Sequence, residues 1–247
     1  MSNSPRLDIH NSEVPLVCRS CEARHKGVCG ALSPSQLAEL AKHTSKHVYD
    51  AEAPLIADGD KIERYSNILS GVVKLAKLTA DGRQQIVGLQ FAPDFLGRPF
   101  SEKSEFDVEA ATEVKVCSFP RQTLDRLIQQ NPELQHRLHG QTLKELDEAR
   151  DWMLALGRKS AGERVANFLY FIANHIDPEA HDRNGEVQFE IPLKRADMAD
   201  FLGLTIETVS RQLTKLRQAH MIDLPNNRTV IVQNFARLRQ AAEGPAS

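Results

Sequence analysis

No part of this sequence leaves fewer folding options than Lys194-Arg195-Ala196-Asp197-Met198-Ala199-Asp200-Phe201-Leu202-Gly203-Leu204-Thr205-Ile206-Glu207-Thr208-Val209-Ser210-Arg211-Gln212-Leu213. It reads as two helices joined at Gly203, because glycine takes a positive φ without strain and so suits a tight turn. Thr205 stands where its hydroxyl accepts a backbone N–H and caps the second helix. Ile206, Val209, Leu213 and Leu216 recur at the helical period and form the buried stripe of that helix. The runs 221–224 and 229–232, separated by Asn226-Asn227, predict a hairpin and hence a winged helix-turn-helix.

The stripe leaves Glu207, Ser210, Arg211, Thr214 and Lys215 pointing outward. Those groups suit a major groove: arginine offers paired donors to guanine, glutamate accepts from the cytosine amino group, and serine meets a base edge or a phosphate. The first turns of a recognition helix meet the bases, so Glu207, Ser210 and Arg211 take the base-reading positions, and Thr205, Thr214, Lys215 and Arg217 fall to phosphates. The formal net charge of −2 argues mildly against a polyanion partner, but residues 194–239 hold eight Lys/Arg against four Asp/Glu, a local excess of about +4.

Upstream, residues 1–30 carry Cys18, Cys21 and Cys29 among Pro15 and Gly27, which predicts an irregular arm. Ser33-Pro34 then opens a short helix with Leu37 and Leu40 on one side. From about 47 to 120, short apolar runs alternate with turn residues. The runs 69–78 and 85–91 flank Thr79-Ala80-Asp81-Gly82-Arg83 as a hairpin, and 114–119 forms a last strand carrying Cys117, closed by Pro120. This spacing predicts a small antiparallel barrel or roll over residues 31–120. Residues 121–156 predict one long helix. Along it His139, Thr142, Leu146, Ala149, Met153 and Leu156 recur at steps of three and four, a seam for a partner helix or for the helix's own roll. Gly157 and Arg158-Lys159-Ser160 suggest a hinge, after which 157–247 forms the C-terminal domain: a helix over 161–175 with Val165, Phe168, Leu169 and Ile172 on one face, a polar loop with Asn184-Gly185, a strand at 187–191, and the helix pair. The fold class is thus α+β.

No run approaches the roughly 20 apolar residues that span a bilayer, and Met1 to Glu13 lacks the apolar core of a signal peptide. A cytoplasmic chain without membrane contact is the expectation, and there thiols stay reduced. Cys18 and Cys21 are two residues apart, Cys29 follows after seven more, and Cys117 is distant. Four thiolates suit an iron-sulfur cluster; zinc would use the same set, and unrelated free thiols are the third reading. His25 sits in the basic run Arg24-His25-Lys26, which reads as solvated surface. No Gly-rich dinucleotide fingerprint and no nucleophile–base set stands out, so an enzyme is not expected, and an iron-sulfur redox protein is a distant alternative.

The cysteine arm, the roll with one further cysteine near its end, the long helix, and Leu204-Thr205-Ile206-Glu207-Thr208-Val209-Ser210-Arg211 in a winged domain together resemble the FNR branch of the CRP/FNR regulators. The resemblance covers almost the whole chain. The spacing of two and then seven is similar to the alphaproteobacterial FnrN/FnrL/FixK-like type. What the resemblance implies is a cyclic-nucleotide-binding-like roll and one oxygen-labile [4Fe-4S] cluster per subunit on Cys18, Cys21, Cys29 and Cys117. It implies a homodimer on an inverted repeat like TTGAT-N4-ATCAA, with Glu207, Ser210 and Arg211 reading bases, and control of anaerobic or microaerobic genes. It also implies activation through RNA polymerase contacts on the turn Thr79, Ala80, Asp81, Gly82, Arg83, Gln84 and Gln85. Two features depart from relatives. Asp94-Phe95-Leu96-Gly97-Arg98-Pro99-Phe100 lacks the Gly-Glu phosphate cassette, so no cyclic nucleotide is expected, and Ala149 stands on the seam where the enterobacterial type has an aspartate. A CRP-like regulator of another effector, with zinc or no metal on the cysteines, is the alternative within the same fold.

Overall fold

The computed structural model describes residues 14–19, 21–178 and 186–244; the polar opening Met1 to Glu13 and the Asn184-Gly185 turn lie outside them. Two compact units are formed, one by the chain to residue 77 with 88–147, the other by 78–87 with the chain from 148 onward.

The first unit begins with short helices where an irregular arm was expected: α1 (Leu16–Arg19), α2 (Glu22–Lys26), a 3-10 turn (Val28–Ala31) and α3 (Pro34–Ala41). The physical reason is that Val14, Val28 and Leu32 are buried beside Leu37, Tyr65, Phe119 and Leu124. Each such side chain contributes roughly 1.5–3 kcal/mol by leaving water, enough to hold turns too short to persist alone. Ser33 caps α3 through a reciprocal box with Gln36.

The roll consists of β1 (Ser45–Tyr49), β2 (Pro54–Ile56), β3 (Arg64–Ser70), β4 (Val72–Leu78), β5 (Gln84–Phe91), β6 (Phe95–Leu96), β7 (Asp107–Ala110) and β8 (Val114–Pro120). They form two four-stranded sheets, β1-β8-β3-β6 and β2-β7-β4-β5. The run 69–78 is not one strand. Gly71, at φ +89°, ends β3 in one sheet and starts β4 in the other. A Cβ there would lie 2.2 Å from the Glu113 carbonyl oxygen, so only glycine fits this corner.

The single helix expected over 121–156 is two, α4 (Arg121–Gln130) and α5 (Pro132–Arg158). Pro132 has no N–H and pushes the residue before it out of the helical region. Asn131 accordingly sits at φ −129°, ψ 99°. Its Oδ1 accepts from the N–H groups of Glu133 and Leu134 at 3.0 and 3.1 Å, so the break is also the cap of α5. Gly157 lies inside α5, and the helical run stops only at Arg158.

In the second unit α6 (Ala161–Ile176) buries Val165, Phe168, Leu169 and Ile172 as its periodicity requires. Ser160 and Glu163 close a capping box at its start. Trp152 of α5 packs edge-on to Phe171 and Phe201, with centroids 5.5 and 4.5 Å apart. The C-terminal α9 (Phe235–Glu243), which carries no strong sequence signal, lays Phe235 5.0 Å from Tyr170 of α6. β9 (Val187–Glu190), β10 (Ile222–Asp223) and β11 (Thr229–Val232) form a small sheet in the order β10-β11-β9.

Candidate functional site

The helix pair is α7 (Arg195–Leu202) and α8 (Ile206–Gln218). Between them Gly203 adopts the left-handed conformation at φ 61°, ψ 42°. Thr205 Oγ1 accepts from the Thr208 N–H at 3.2 Å, capping α8 as its position required. Arg164 of α6 donates to the Leu202 carbonyl at 3.1 Å, which holds the last turn of α7 in place. Val209, Leu213 and Leu216 are buried, but Ile206 is 46% exposed. As the first helical residue after the cap it stands at the end of the stripe, where burial runs out.

Glu207, Ser210, Arg211, Lys215 and Arg217 are all exposed on α8, and Thr214 is half-buried with its hydroxyl bonded to the Ser210 carbonyl at 3.0 Å. Glu207 is held below the usual carboxylate range by its own backbone N–H and by Thr205. Arg211 rests against the Thr208 hydroxyl at 3.4 Å. The result is an exposed cationic helix face with one fixed carboxylate at its N-terminal end.

The four cysteines converge. Cys18 is in α1, Cys21 just precedes α2, Cys29 is in the 3-10 turn and Cys117 is in β8, and all four line one small cavity with Lys46, Asn67 and Arg24. The short turns are chained by backbone bonds, Cys21 N–H to the Cys18 carbonyl and Arg24 N–H to the Cys21 carbonyl, at 3.3 and 3.1 Å. On the sheet, Lys46 and Asn67 are the register partners of Cys117 on its two sides. Directly opposed residues share a face. A cation, a thiol and an amide therefore lie abreast beneath the cysteine-bearing turns.

Burial pushes the Cys29 thiol up to about 12, against the lowering effect of the Asn67 hydrogen bond, with Cys117, Cys21 and Cys18 adding to the rise. Burial likewise pushes Cys117 up to about 11, with Cys21 and Cys18 adding to it and Lys46 opposing. Cys18 is raised by burial and by Cys21. Thiols crowded this way stay protonated until a bound cationic centre compensates their charge, so loading would release protons. Tetrahedral zinc, with Zn–S about 2.3 Å, needs sulfurs roughly 3.8 Å apart. Among the described residues no three His, Cys, Asp or Glu side chains form a ready shell for a single ion. Four thiols on one cavity are the donor set that an iron-sulfur cluster takes, and the residues present fit that group.

Asn67 Nδ2 donates to Cys29 Sγ at 3.1 Å, while its Oδ1 is buried without a partner. An unpaired buried acceptor costs about 1–3 kcal/mol. Neither Asn67 nor Lys46 was singled out from the sequence. The sequence offered little signal, since Asn67 is one of several polar residues in β3, beside Arg64, Ser66 and Ser70.

Of the seam positions, His139, Thr142, Leu146, Ala149 and Met153 are exposed and Leu156 is half-buried, and Leu143 and Leu154, which the seam omitted, are exposed as well. In the turn, Thr79, Ala80, Asp81, Gly82 and Arg83 are exposed, with Asp81 and Arg83 paired at 2.8 Å, while Gln84 and Gln85 are half-buried. Gln85 donates to the Phe201 carbonyl at 3.4 Å. The roll encloses a cavity of about 460 Å³ with walls that include Leu75, Leu96 and Val108. At its rim Arg98 is paired with Glu105 at 2.8 Å.

The chain resembles known proteins over most of its length. Residues 46–131 match the cyclic nucleotide-binding domain and residues 163–241 the Crp-like helix-turn-helix domain. The chain is 52% identical to a probable transcriptional activator of Rhizobium leguminosarum bv. viciae over 95% of its length and 97% of the relative's. It is 40% identical to the transcriptional activator protein FnrL of Cereibacter sphaeroides, covering 93% and 94% of the two chains. Among solved structures, FixK2 from Bradyrhizobium japonicum superposes with a TM-score of 0.73 at 28% identity, over 82% of this chain and 99% of that one.

Proposed function

The chain belongs to the CRP/FNR family of transcription regulators, and on that premise we propose that it is an oxygen-responsive activator that binds an inverted repeat like TTGAT-N4-ATCAA as a homodimer when it holds a [4Fe-4S] cluster. Its coarser identity is a transcriptional activator of the FNR/FixK type, a DNA-binding regulator and not an enzyme. No helix among the described residues is long and apolar enough to cross a membrane.

The observation that carries the sensing half is the meeting of Cys18, Cys21, Cys29 and Cys117 on one cavity floored by Lys46 and Asn67. When bound, the cluster would supply an oxygen-labile link among the four cysteine sulfurs. The protein's part is mechanical. Cys18, Cys21 and Cys29 tie α1, α2 and the 3-10 turn to β8 through Cys117, and the Lys46 ammonium offsets the added negative charge. The same segment is bonded to α5: Arg137 donates to the Gly27 carbonyl at 3.2 Å, and Asn131 Nδ2 to the Ala31 carbonyl at 3.0 Å. Ordering the cysteine turns thereby orders the start of the helix whose exposed apolar residues meet the second subunit. Glu207, Ser210 and Arg211 read bases, Thr205, Thr214, Lys215 and Arg217 hold phosphates, and the exposed turn from Thr79 contacts RNA polymerase. No cyclic nucleotide is required, since residues 94–100 lack the Gly-Glu phosphate cassette.

Anaerobic purification tests this directly. The expected protein is brown, holds about four iron and four sulfide per chain, bleaches in air, and binds the inverted repeat only before bleaching. Cys117→Ser should lose both colour and anaerobic DNA binding. A colourless protein with stoichiometric zinc and oxygen-independent DNA binding would overturn the reading.

A further inference from the structure

Resting on the cluster reading above, the geometry points to Asn67 as a positioning residue that sets how readily the cluster is oxidised, by donating its side-chain N–H to the Cys29 sulfur. Asn67 is 1% exposed, its Nδ2 lies 3.1 Å from Cys29 Sγ, and its Oδ1 finds no partner. Among the described residues the sulfur is thus the one group its amide serves. Against a ligating thiolate the rotated amide would meet acceptor to acceptor, so the N–H end faces Cys29 when it ligates. Its backbone is fixed in β3 opposite Cys117, which leaves the donor little freedom to follow any other group.

A donor aimed at a ligating thiolate withdraws electron density from it and favours the more negative, reduced state of the metal centre, which raises the reduction potential. Removing that donor makes the centre easier to oxidise. Lys46, the other neighbour of Cys117, also favours negative charge, but its side chain is exposed and its influence is screened by salt. Asn67 is buried and uncharged, so its contribution does not depend on ionic strength.

The test compares the full-length chain with Asn67→Leu, which keeps the side-chain shape and removes the donor, after anaerobic reconstitution to equal iron and sulfide content. The expected result is a midpoint potential shifted to more negative values and a cluster lifetime in air-saturated buffer shortened about three- to tenfold, with both shifts the same at low and high salt. Asn67→Ser, shorter but still able to donate, should fall between them, and serves as the second variant if Asn67→Leu does not fold. If Asn67→Leu takes up less cluster or melts earlier while potential and lifetime per loaded cluster match wild type, Asn67 is only a structural tie and the proposal is overturned. If wild type itself reconstitutes with no iron, the cluster reading fails first and takes this one with it, so the two failures are told apart by the iron content of the unmodified chain.

Discussion

Two arginine-like roles on one helix can be separated by what each side chain touches. Arg211 is exposed in the second turn of α8, near Glu207 and Ser210, whereas Lys215 lies a turn further on. A bidentate base contact is worth about 1–3 kcal/mol of discrimination, while a phosphate contact adds to every sequence alike and to the salt slope. Arg211→Ala should therefore lose about 1–3 kcal/mol of specific affinity and keep its random-DNA affinity, measured by competition binding. Lys215→Ala should weaken both and flatten the salt dependence by about one counterion. Equal losses on specific and random DNA for Arg211→Ala would remove it from the base-reading set. These residues were legible from periodicity because α8 buries its stripe locally. Cys18 and Cys21 stood out by their close spacing, whereas the proposed set with Cys29 and Cys117 rests on the family resemblance. Asn67 was not legible, since a single amide in a strand acquires meaning only through a sulfur 38 residues away in sequence.

Among elements, the corners and breaks decide the path of the chain. Gly71 turns the polypeptide from one sheet into the other, a change of sheet invisible in the run 69–78 because the apolar residues on both sides of it read as one continuous strand. Gly71→Ala should cost about 1–3 kcal/mol for the positive φ alone, and more for the contact with Glu113, seen as a lower denaturation midpoint at unchanged slope. A loss under about 0.5 kcal/mol would mean that the corner can relax. At the start of α6, the Ser160 hydroxyl accepts from the Glu163 N–H and Glu163 Oε2 accepts from the Ser160 N–H at 2.6 Å. Ser160→Ala should cost about 1 kcal/mol. The Glu163 carboxyl is held low, first by the Ser160 backbone N–H. Because its folded value lies below its unfolded value, the stabilisation is present above the ordinary carboxylate range and is lost as pH falls through the folded value. The stability difference between wild type and Glu163→Gln should therefore depend on pH only below about 5. A difference that keeps changing toward neutral pH would assign the effect to another group.

For the molecule as a whole, the uncovered apolar residues of α5 matter most. Met153 is 72% exposed and Leu146 42%, with Leu143 and Leu154 also uncovered, too much apolar surface on one helix for a chain that works alone. In the proposed homodimer a second copy pairs along this helix, so that two recognition helices meet one duplex. Met153→Glu should shift sedimentation toward monomer and reduce affinity for the inverted repeat far more than for an isolated half-site. An unchanged dimer would show that α5 is covered by something else.

The sequence by itself determined the parts whose physics is local: the helix pair with its left-handed glycine and threonine cap, the stripe of α8, the capped helix after Ser33, the α+β order of roll, helix and winged domain, and the chelating spacing of Cys18 and Cys21. Only the tertiary structure decided that the arm folds into short helices, that the long helix breaks at Asn131, and that Lys46, Cys117 and Asn67 stand side by side beneath Cys29. Those arrangements depend on burial and on register between strands far apart in the chain. Nothing in a residue's immediate neighbours specifies which distant strand will lie across from it.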